Sequence, residues 1–354
     1  MGLSQATHEA DNTYADLFVE FVRRSANHSL VVIRNHPISP PADVREQARH
    51  VLGFALDADS TRSVAYELLL ELAPKMEDSG HRDDWLPYLD RGIGHSRDQK
   101  EHIITAKLLV YSGMIHQLQG RLSEAQNSFQ ESINLATAIN EPTVQARSLI
   151  RLAFVQRLLY KSKQATALAQ QALSLLPSDH LEQAAAYSVL GIVAYDQKDW
   201  PHSIAHFRKA LAIARKQNDP RSLACRLRDL GMFLRQAGDL EDAARHYTQA
   251  IDLFDRLGGL TQGAITRINL SAVYLDQARP AAALKLCNEA EAPLYDARDQ
   301  VQLAHLAYNR GLAYAALEQH AAAAHYLQLA IDRYGLLGRS ADQAEVLADL
   351  RRLG

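Results

Sequence analysis

The sequence predicts an all-α solenoid, a stack of paired helices, and two patterns in its 354 residues support this prediction. Small residues recur every 38–40 positions along the chain, at Ala73, Gly113, Ala153, Gly191, Gly231, Ser271 and Gly311. In most copies another small residue follows twelve positions later, and turn-forming residues such as Gly120 and Gly238 lie between the two. Such a repeat predicts about seven units, each made of a helix, a tight turn and a second helix.

Packing explains the small residues and predicts the domain organisation. Two antiparallel helices approach closely only where the contact residue is small, and one hairpin cannot bury its apolar face alone. We therefore expect one stack of hairpins over residues 61–337, with capping helices over residues 1–60 and 338–354. The first ten or so residues are expected to be disordered. The first capping helix is predicted from apolar residues at helical spacing, which are Tyr14, Leu17, Phe18, Phe21 and Val22.

Composition excludes several classes of protein. The chain is 47% hydrophobic and 22% charged, and its formal net charge of -3 gives no overall attraction to nucleic acid or to an anionic membrane. Cys225 and Cys287, its two cysteines, are too few for a disulfide framework or a zinc site. The N-terminus lacks a secretory signal, and no apolar run reaches the roughly 18 residues of a membrane span. We interpret the chain as cytoplasmic, without nucleic acid or membrane as a partner.

Motifs for catalysis or cofactor binding are absent from the sequence. His202 and His206 have the i, i+4 spacing of two metal ligands, but no acidic or cysteine partner follows at a recognisable spacing. We interpret them as residues of a solvated helix face. No nucleotide-binding loop, zinc-protease motif or nucleophile elbow occurs, so we predict no enzyme activity, no cofactor and no metal. Cys287 is predicted to pack in the core, and Cys225 to be an unreactive thiol rather than a reactive one.

Residues 230–251, "LGMFLRQAGDLEDAARHYTQAI", resemble a tetratricopeptide repeat. The family's signature positions hold Leu230, Gly231, Leu234, Gly238, Ala243, Tyr247 and Ala250. The period of about 40 residues exceeds the usual 34 or so and resembles kinesin light chains and the sensor domains of bacterial signal-transduction ATPases. Arg310 departs from the pattern, since it replaces the usual leucine before Gly311. The resemblance implies a right-handed α-solenoid whose first helices line a concave groove.

The predicted groove residues follow from this register. If the small residue of each unit is numbered 8, positions 2, 5, 9 and 12 form one stripe of the first helix. The candidate partner-binding residues lie on this stripe or beside it: Lys107, Arg147, Arg151, Phe154, Arg157, Tyr195, Arg228, Met232, Arg235, Asn269, Tyr308 and Asn309. Basic rows flank an apolar row in the middle units, which favours an acidic peptide with an apolar segment, because guanidinium binds carboxylate bidentately.

Two points of this groove have alternatives. The arginines could be solvated or paired internally, for example Arg228 or Arg235 with Asp196 or Asp229. Asn269 and its counterpart Asn309 match an asparagine that, in families with long repeats, hydrogen-bonds the backbone of a bound peptide; each could instead cap a local backbone group.

The leading functional hypothesis is a protein-interaction scaffold or adaptor that binds a peptide or helix of a partner in this groove. A second hypothesis is a ligand-responsive regulatory sensor that acts on a separate effector, such as an ATPase or a transcription factor. A third is a self-assembly module that uses the apolar stripes of the sixth and seventh units, which would make the protein a homo-oligomer.

Overall fold

A computed structural model describes residues 2–36, 38, 40–79 and 84–353, which form 17 α-helices, one short 3₁₀ turn and no strand. The chain divides into two compact units, residues 1–77 with 82–155 and residues 78–81 with 156–354. The all-α fold class predicted from the sequence is confirmed. The predicted boundaries of the capping and repeat regions stay predictions.

The first unit contains the N-terminal helices and the first repeats. Its helices are α1 (Gly2–Arg34), α2 (Ala42–Ala55), α3 (Arg62–Ser79), α4 (Leu86–Asp98), α5 (His102–Leu118), α6 (Leu122–Ala138) and most of α7 (Pro142–Leu158), with the 3₁₀ turn at Asp59–Thr61. The second unit contains α8 (Ser162–Leu175), α9 (Leu181–Asp196), α10 (Trp200–Lys216), α11 (Pro220–Gln236), α12 (Leu240–Arg256), α13 (Leu260–Asp276), α14 (Pro280–Asp296), α15 (Gln300–Ala316), α16 (His320–Leu336) and α17 (Ser340–Arg352).

Hairpins in the second unit stack in sequence order, as the repeat predicts. The pairs α9–α10, α11–α12, α13–α14 and α15–α16 each pack closely, and each pair also contacts the next. A residue with positive φ ends the first helix of each of these hairpins: Lys198, Gly238, Ala278 and Glu318. This left-handed conformation returns backbone N–H groups to the last helical carbonyls, as when Gly238 N donates to Arg235 O at 3.0 Å.

The small residue of each first helix is required by its neighbour in the second helix. A Cβ atom built on Gly191 would lie 2.6 Å from the Phe207 ring, and one on Gly311 would lie 2.6 Å from Leu327 Cδ2. Both distances are below van der Waals contact, so these positions exclude any side chain at the present helix spacing. The predicted reason for the small residues is therefore confirmed in these hairpins.

Helix α1 differs from the predicted cap. It begins at Gly2, although the sequence predicts disorder over the first ten or so residues. Val22, Leu30 and Ile33 are buried in the core of the first unit. Tyr14, Leu17, Phe18 and Phe21, in contrast, are exposed, so these four predicted capping residues cover no repeat.

At the other end, α17 packs on α16 and buries Val346 in a cluster with Tyr334 and Leu327. None of the described helices is both long and apolar enough to cross a membrane.

Candidate partner-binding surface

The first helices of the second unit form a shared surface. Helix α11 contacts both α9 and α13, and α13 contacts α15, so stripe positions of neighbouring repeats come side by side. We call the apolar and aromatic residues at positions 9 and 12 of these helices the inner stripe. They are Ile192, Tyr195, Met232, Ala272, Leu275, Leu312 and Ala315, and each retains partial or full exposure.

Met232 is the residue of this stripe that extends furthest into solvent. Its side chain is 41% exposed although the flanking residues Gly231 and Phe233 are buried. Tyr195 contacts the next hairpin, since its ring centroid lies 4.9 Å from that of Phe233 in an edge-on arrangement. Sequence reasoning missed Trp200, which is 42% exposed and lies edge-on to Tyr195 at 5.0 Å. The signal for it was a tryptophan at the first residue of a second helix.

Two predicted groove arginines form ion pairs between neighbouring repeats. Arg157 Nε and Nη2 lie 2.6 and 2.8 Å from the carboxylate oxygens of Asp196. Arg235 makes the same kind of pair with Asp276, at 2.6 and 3.3 Å. The hydrogen bonds that Arg157 donates to Asp196 are the main cause that raises the pKa of Arg157 above its ordinary value. Each pair joins the last turn of one first helix to the last turn of the next.

Arg228 is also engaged within the protein. Its Nη1 donates to Gln262 Oε1, its Nη2 lies 3.9 Å from Asp229 Oδ1, and its guanidinium lies 5.8 Å from the Phe254 ring centroid. The structure thus corrects the expectation of uncompensated basic rows in this unit. Internal pairing, the alternative considered from the sequence, describes Arg157, Arg228 and Arg235, although the aspartate that pairs with Arg235 is Asp276.

The two asparagines predicted to clamp a peptide have different environments. Asn309 is buried, and its Nδ2 donates to Ile268 O at 3.0 Å and to Ser271 Oγ at 2.8 Å. Its amide hydrogens therefore join α15 to α13, and Asn309 does not fit a role as a groove ligand. Asn269 is partly exposed, and its side chain has no hydrogen-bond partner within residues 84–353.

Tyr308 faces the last helix of the chain. Its hydroxyl donates to Asp349 Oδ2 at 2.6 Å and lies 3.3 Å from Glu345 Oε1, both on α17. Burial, followed by these carboxylates, raises the pKa of Tyr308 above its ordinary value. The hydroxyl is thus already used within the protein.

The remaining predicted residues belong to the first unit. Lys107 on α5 and Arg147, Arg151 and Phe154 on α7 are all partly exposed. They occupy the predicted stripe positions or the position next to them, and their role in binding stays a prediction.

Comparison with protein families decides the identity of the repeats. The model of the MalT-like TPR region matches residues 153–336, slightly more than half of the chain. The chain belongs to this tetratricopeptide family. A second tetratricopeptide repeat model matches residues 104–178. The resemblance identified from residues 230–251 is confirmed. No curated protein sequence matches the chain.

Solved structures show the same tetratricopeptide fold at low sequence identity. A Rap protein complexed with Competence and Sporulation Factor is 15% identical with a TM-score of 0.58, and the match covers 95% of this chain and 98% of that one. Aspartyl phosphate phosphatase F from Bacillus subtilis is 13% identical with a TM-score of 0.51, covering 94% and 93%. The signal transduction ATPase with numerous domains and a tetratricopeptide repeat sensor from Pyrococcus horikoshii is 15% identical with a TM-score of 0.58, covering 87% and 50%.

The two cysteines and the histidine pair named in the sequence lie outside the inner stripe. Burial raises the pKa of both Cys225 and Cys287, which disfavours the reactive thiolate. His202 Nδ1 lies 2.8 Å from Asp199 Oδ2 at the start of α10, and His206 stacks on Tyr187 with ring centroids 6.0 Å apart. No group of three metal-ligating side chains occurs in this part of the chain. The family and the fold support a protein-interaction or regulatory module.

Proposed function

We propose that the chain is a protein-interaction scaffold whose inner stripe binds an extended or helical segment of a partner protein. The observation that carries this proposal is Met232, an exposed thioether in the middle of a row of partly exposed apolar residues. An unbranched, polarisable side chain adapts to apolar groups of different shape, which suits it to an interface. Tyr195 and Trp200 extend this apolar surface with two aromatic rings.

Polar groups beside the stripe supply direction and selectivity. Asn269 offers an amide that can donate to a partner carbonyl and accept from a partner N–H. At the edge of the inner stripe, Arg157 and Arg235 are held in place by ion pairs with Asp196 and Asp276. An acidic partner residue would have to displace Asp276 from Arg235 before it gained that guanidinium. We therefore infer that the partner binds through apolar or aromatic anchors and backbone hydrogen bonds, with acidic residues as a secondary contribution.

Site-specific crosslinking tests the position of the surface. A photo-reactive amino acid replaces Met232 in one variant and Leu336 in a matched control, since Leu336 is 90% exposed on the second helix α16 and lies outside the stripe. In cells that express the chain, the variant at position 232 is expected to give discrete protein adducts that the control lacks. Identical adducts from both positions would refute the proposal.

Peptide selection tests the chemistry of the partner. A displayed peptide library is selected on the wild-type chain, and the dissociation constants of the selected peptides are measured with Met232→Glu and Leu336→Glu. Loss of a central anchor typically costs 2 kcal/mol or more, so Met232→Glu is expected to weaken binding by about 30-fold. Leu336→Glu should leave it unchanged. Peptides that bind both variants equally would show that the inner stripe is not the binding surface.

A further inference from the structure

Helix α1 carries an exposed apolar patch that the proposed binding surface does not use. The patch consists of Tyr14, Leu17, Phe18 and Phe21 on α1 together with Phe54 on α2, and we call it the N-terminal patch. Its members are between 42% and 73% exposed, and the Phe18 and Phe54 rings contact each other edge-on at 5.6 Å. Soluble monomers rarely expose several large apolar side chains side by side, so such a patch indicates an interaction site.

The lengths of the two helices explain the exposure. Helix α1 has 33 residues and α2 has 14, which correspond to about 50 Å and 21 Å. Phe54, the second-last residue of α2, contacts Phe18, so α2 does not reach the turns of α1 before Phe18, whereas Val22, Ala26 and Leu30 further along α1 are buried. Residues 14–18 are exposed around the whole helix. An isolated helix of this kind is marginally stable in water and gains stability when another element covers its apolar side.

We propose that the N-terminal patch pairs with the same patch of a second copy of this chain, as an antiparallel helix pair. The part of the N-terminal patch on α1 is symmetric along the helix. A twofold axis between residues 17 and 18 places Tyr14 opposite Phe21 and Leu17 opposite Phe18. A parallel arrangement would place every charged position beside its own copy.

The available area is sufficient for a dimer. Five large side chains that are on average a little over half exposed offer roughly 550 Å² per copy, hence about 1,100 Å² for the pair, at about 200 Å² per side chain. A specific interface needs about 1,000 Å² in total. Complete burial of the patch on both copies would thus reach the minimum area of a specific interface.

Sedimentation velocity over a range of concentrations tests the dimer. The wild-type chain is expected to sediment at twice the monomer mass, whereas Leu17→Glu with Phe21→Glu should raise the dissociation constant by at least roughly 100-fold, because charge would be buried without a partner. Leu336→Glu, which removes an equally exposed apolar residue elsewhere, should leave the dimer intact. All three side chains are exposed, so circular dichroism should show unchanged helix content. A wild-type monomer at every concentration, or a dimer that survives the double substitution, would overturn the proposal.

Cysteine crosslinking tests the register. In a background with Cys225→Ser and Cys287→Ala, chains with Tyr14→Cys are mixed with chains with Phe21→Cys under oxidising conditions. The antiparallel register predicts a disulfide between the two different chains and little between identical ones, because opposed helix positions bring their Cβ atoms within bonding reach. Efficient crosslinking of Tyr14→Cys to itself, without the mixed product, would refute this register.

Discussion

The contact between Gly191 and Phe207 gives the sharpest test of how the repeats pack. An alanine Cβ at position 191 would lie 2.6 Å from the Phe207 ring. That ring cannot easily move aside, because it is buried and stacks on Phe233 with centroids 3.9 Å apart and planes at 19°. Overpacking of this kind costs about 1–3 kcal/mol, and the better helix propensity of alanine returns about 1 kcal/mol. Gly191→Ala should therefore lower the free energy of unfolding by up to about 2 kcal/mol.

The equivalent change in the next hairpin serves as the control. The Cβ of Gly231→Ala would lie 3.0 Å from the Tyr247 ring, a contact that a few tenths of an ångström can relieve. The smaller overlap and the propensity gain nearly cancel, so Gly231→Ala should be close to neutral. Urea unfolding followed by circular dichroism measures the stability of both variants. An unchanged slope of the unfolding free energy against urea concentration would show that the denatured state is unaffected. Equal stability of the two variants would refute the steric explanation.

A double-mutant cycle isolates the contact itself. Phe207→Ala alone removes the ring and should cost about 3–5 kcal/mol. In that background Gly191→Ala meets no ring, so it should be neutral or stabilise by up to about 1 kcal/mol. The effect of Gly191→Ala on the unfolding free energy should thus differ by about 2 kcal/mol between the two backgrounds, and this coupling free energy measures the contact between residues 191 and 207. The chain already contains a related combination, because Ser271 at the small-residue position is matched by the smaller Cys287 in its second helix.

Three further predictions concern turns, a partly buried ion pair and a buried amide. Gly238→Ala should destabilise the protein by about 1–2 kcal/mol, because φ is 85° at this turn and alanine adopts that conformation unfavourably. Ala278→Gly, at φ 55°, should stabilise the protein slightly for the same reason. Thermal unfolding measures both variants. The hydrogen bonds from Arg310 hold the pKa of Glu291 below its ordinary 4.5, so stability present at neutral pH should fall as the pH drops below about 4.5. Glu291→Gln should show a smaller loss in urea titrations between pH 7 and pH 3, and an identical pH profile would contradict this. Asn309→Ala should cost about 1–3 kcal/mol, since it removes two buried hydrogen bonds; a variant as stable as wild type in urea would contradict this.

The sequence predicts the fold well because the repeat is a local pattern. The matched pair at Gly191 and Phe207 lies within one hairpin, and a left-handed turn separates its two helices. Repetition of the unit then defines stacking, since each hairpin contacts mainly its neighbours. Met232 holds position 9 of its repeat, which predicts that it lies on the surface of α11, and the structure shows it to be exposed.

The partners of the stripe residues could not be predicted in the same way. Arg235 pairs with Asp276, which lies one whole repeat further along the chain, and only the packing of α11 beside α13 brings their atoms within 2.6 Å. Asn269 and Asn309 hold the same register position, yet only Asn309 is buried, and there it donates to Ser271 and to the Ile268 carbonyl of the preceding repeat.

The sequence by itself determined which residues of the repeats belong to helices, which of them must be small, and which repeat family they form, because all three depend on spacing along the chain. Only the tertiary structure decided which charges are compensated and which apolar residues are covered. Phe21 and Val22 are adjacent and both apolar, but they lie on different faces of α1, and only Val22 faces the core of the first unit. Burial depends on what lies beside a residue in space, and spacing along the chain does not contain that information.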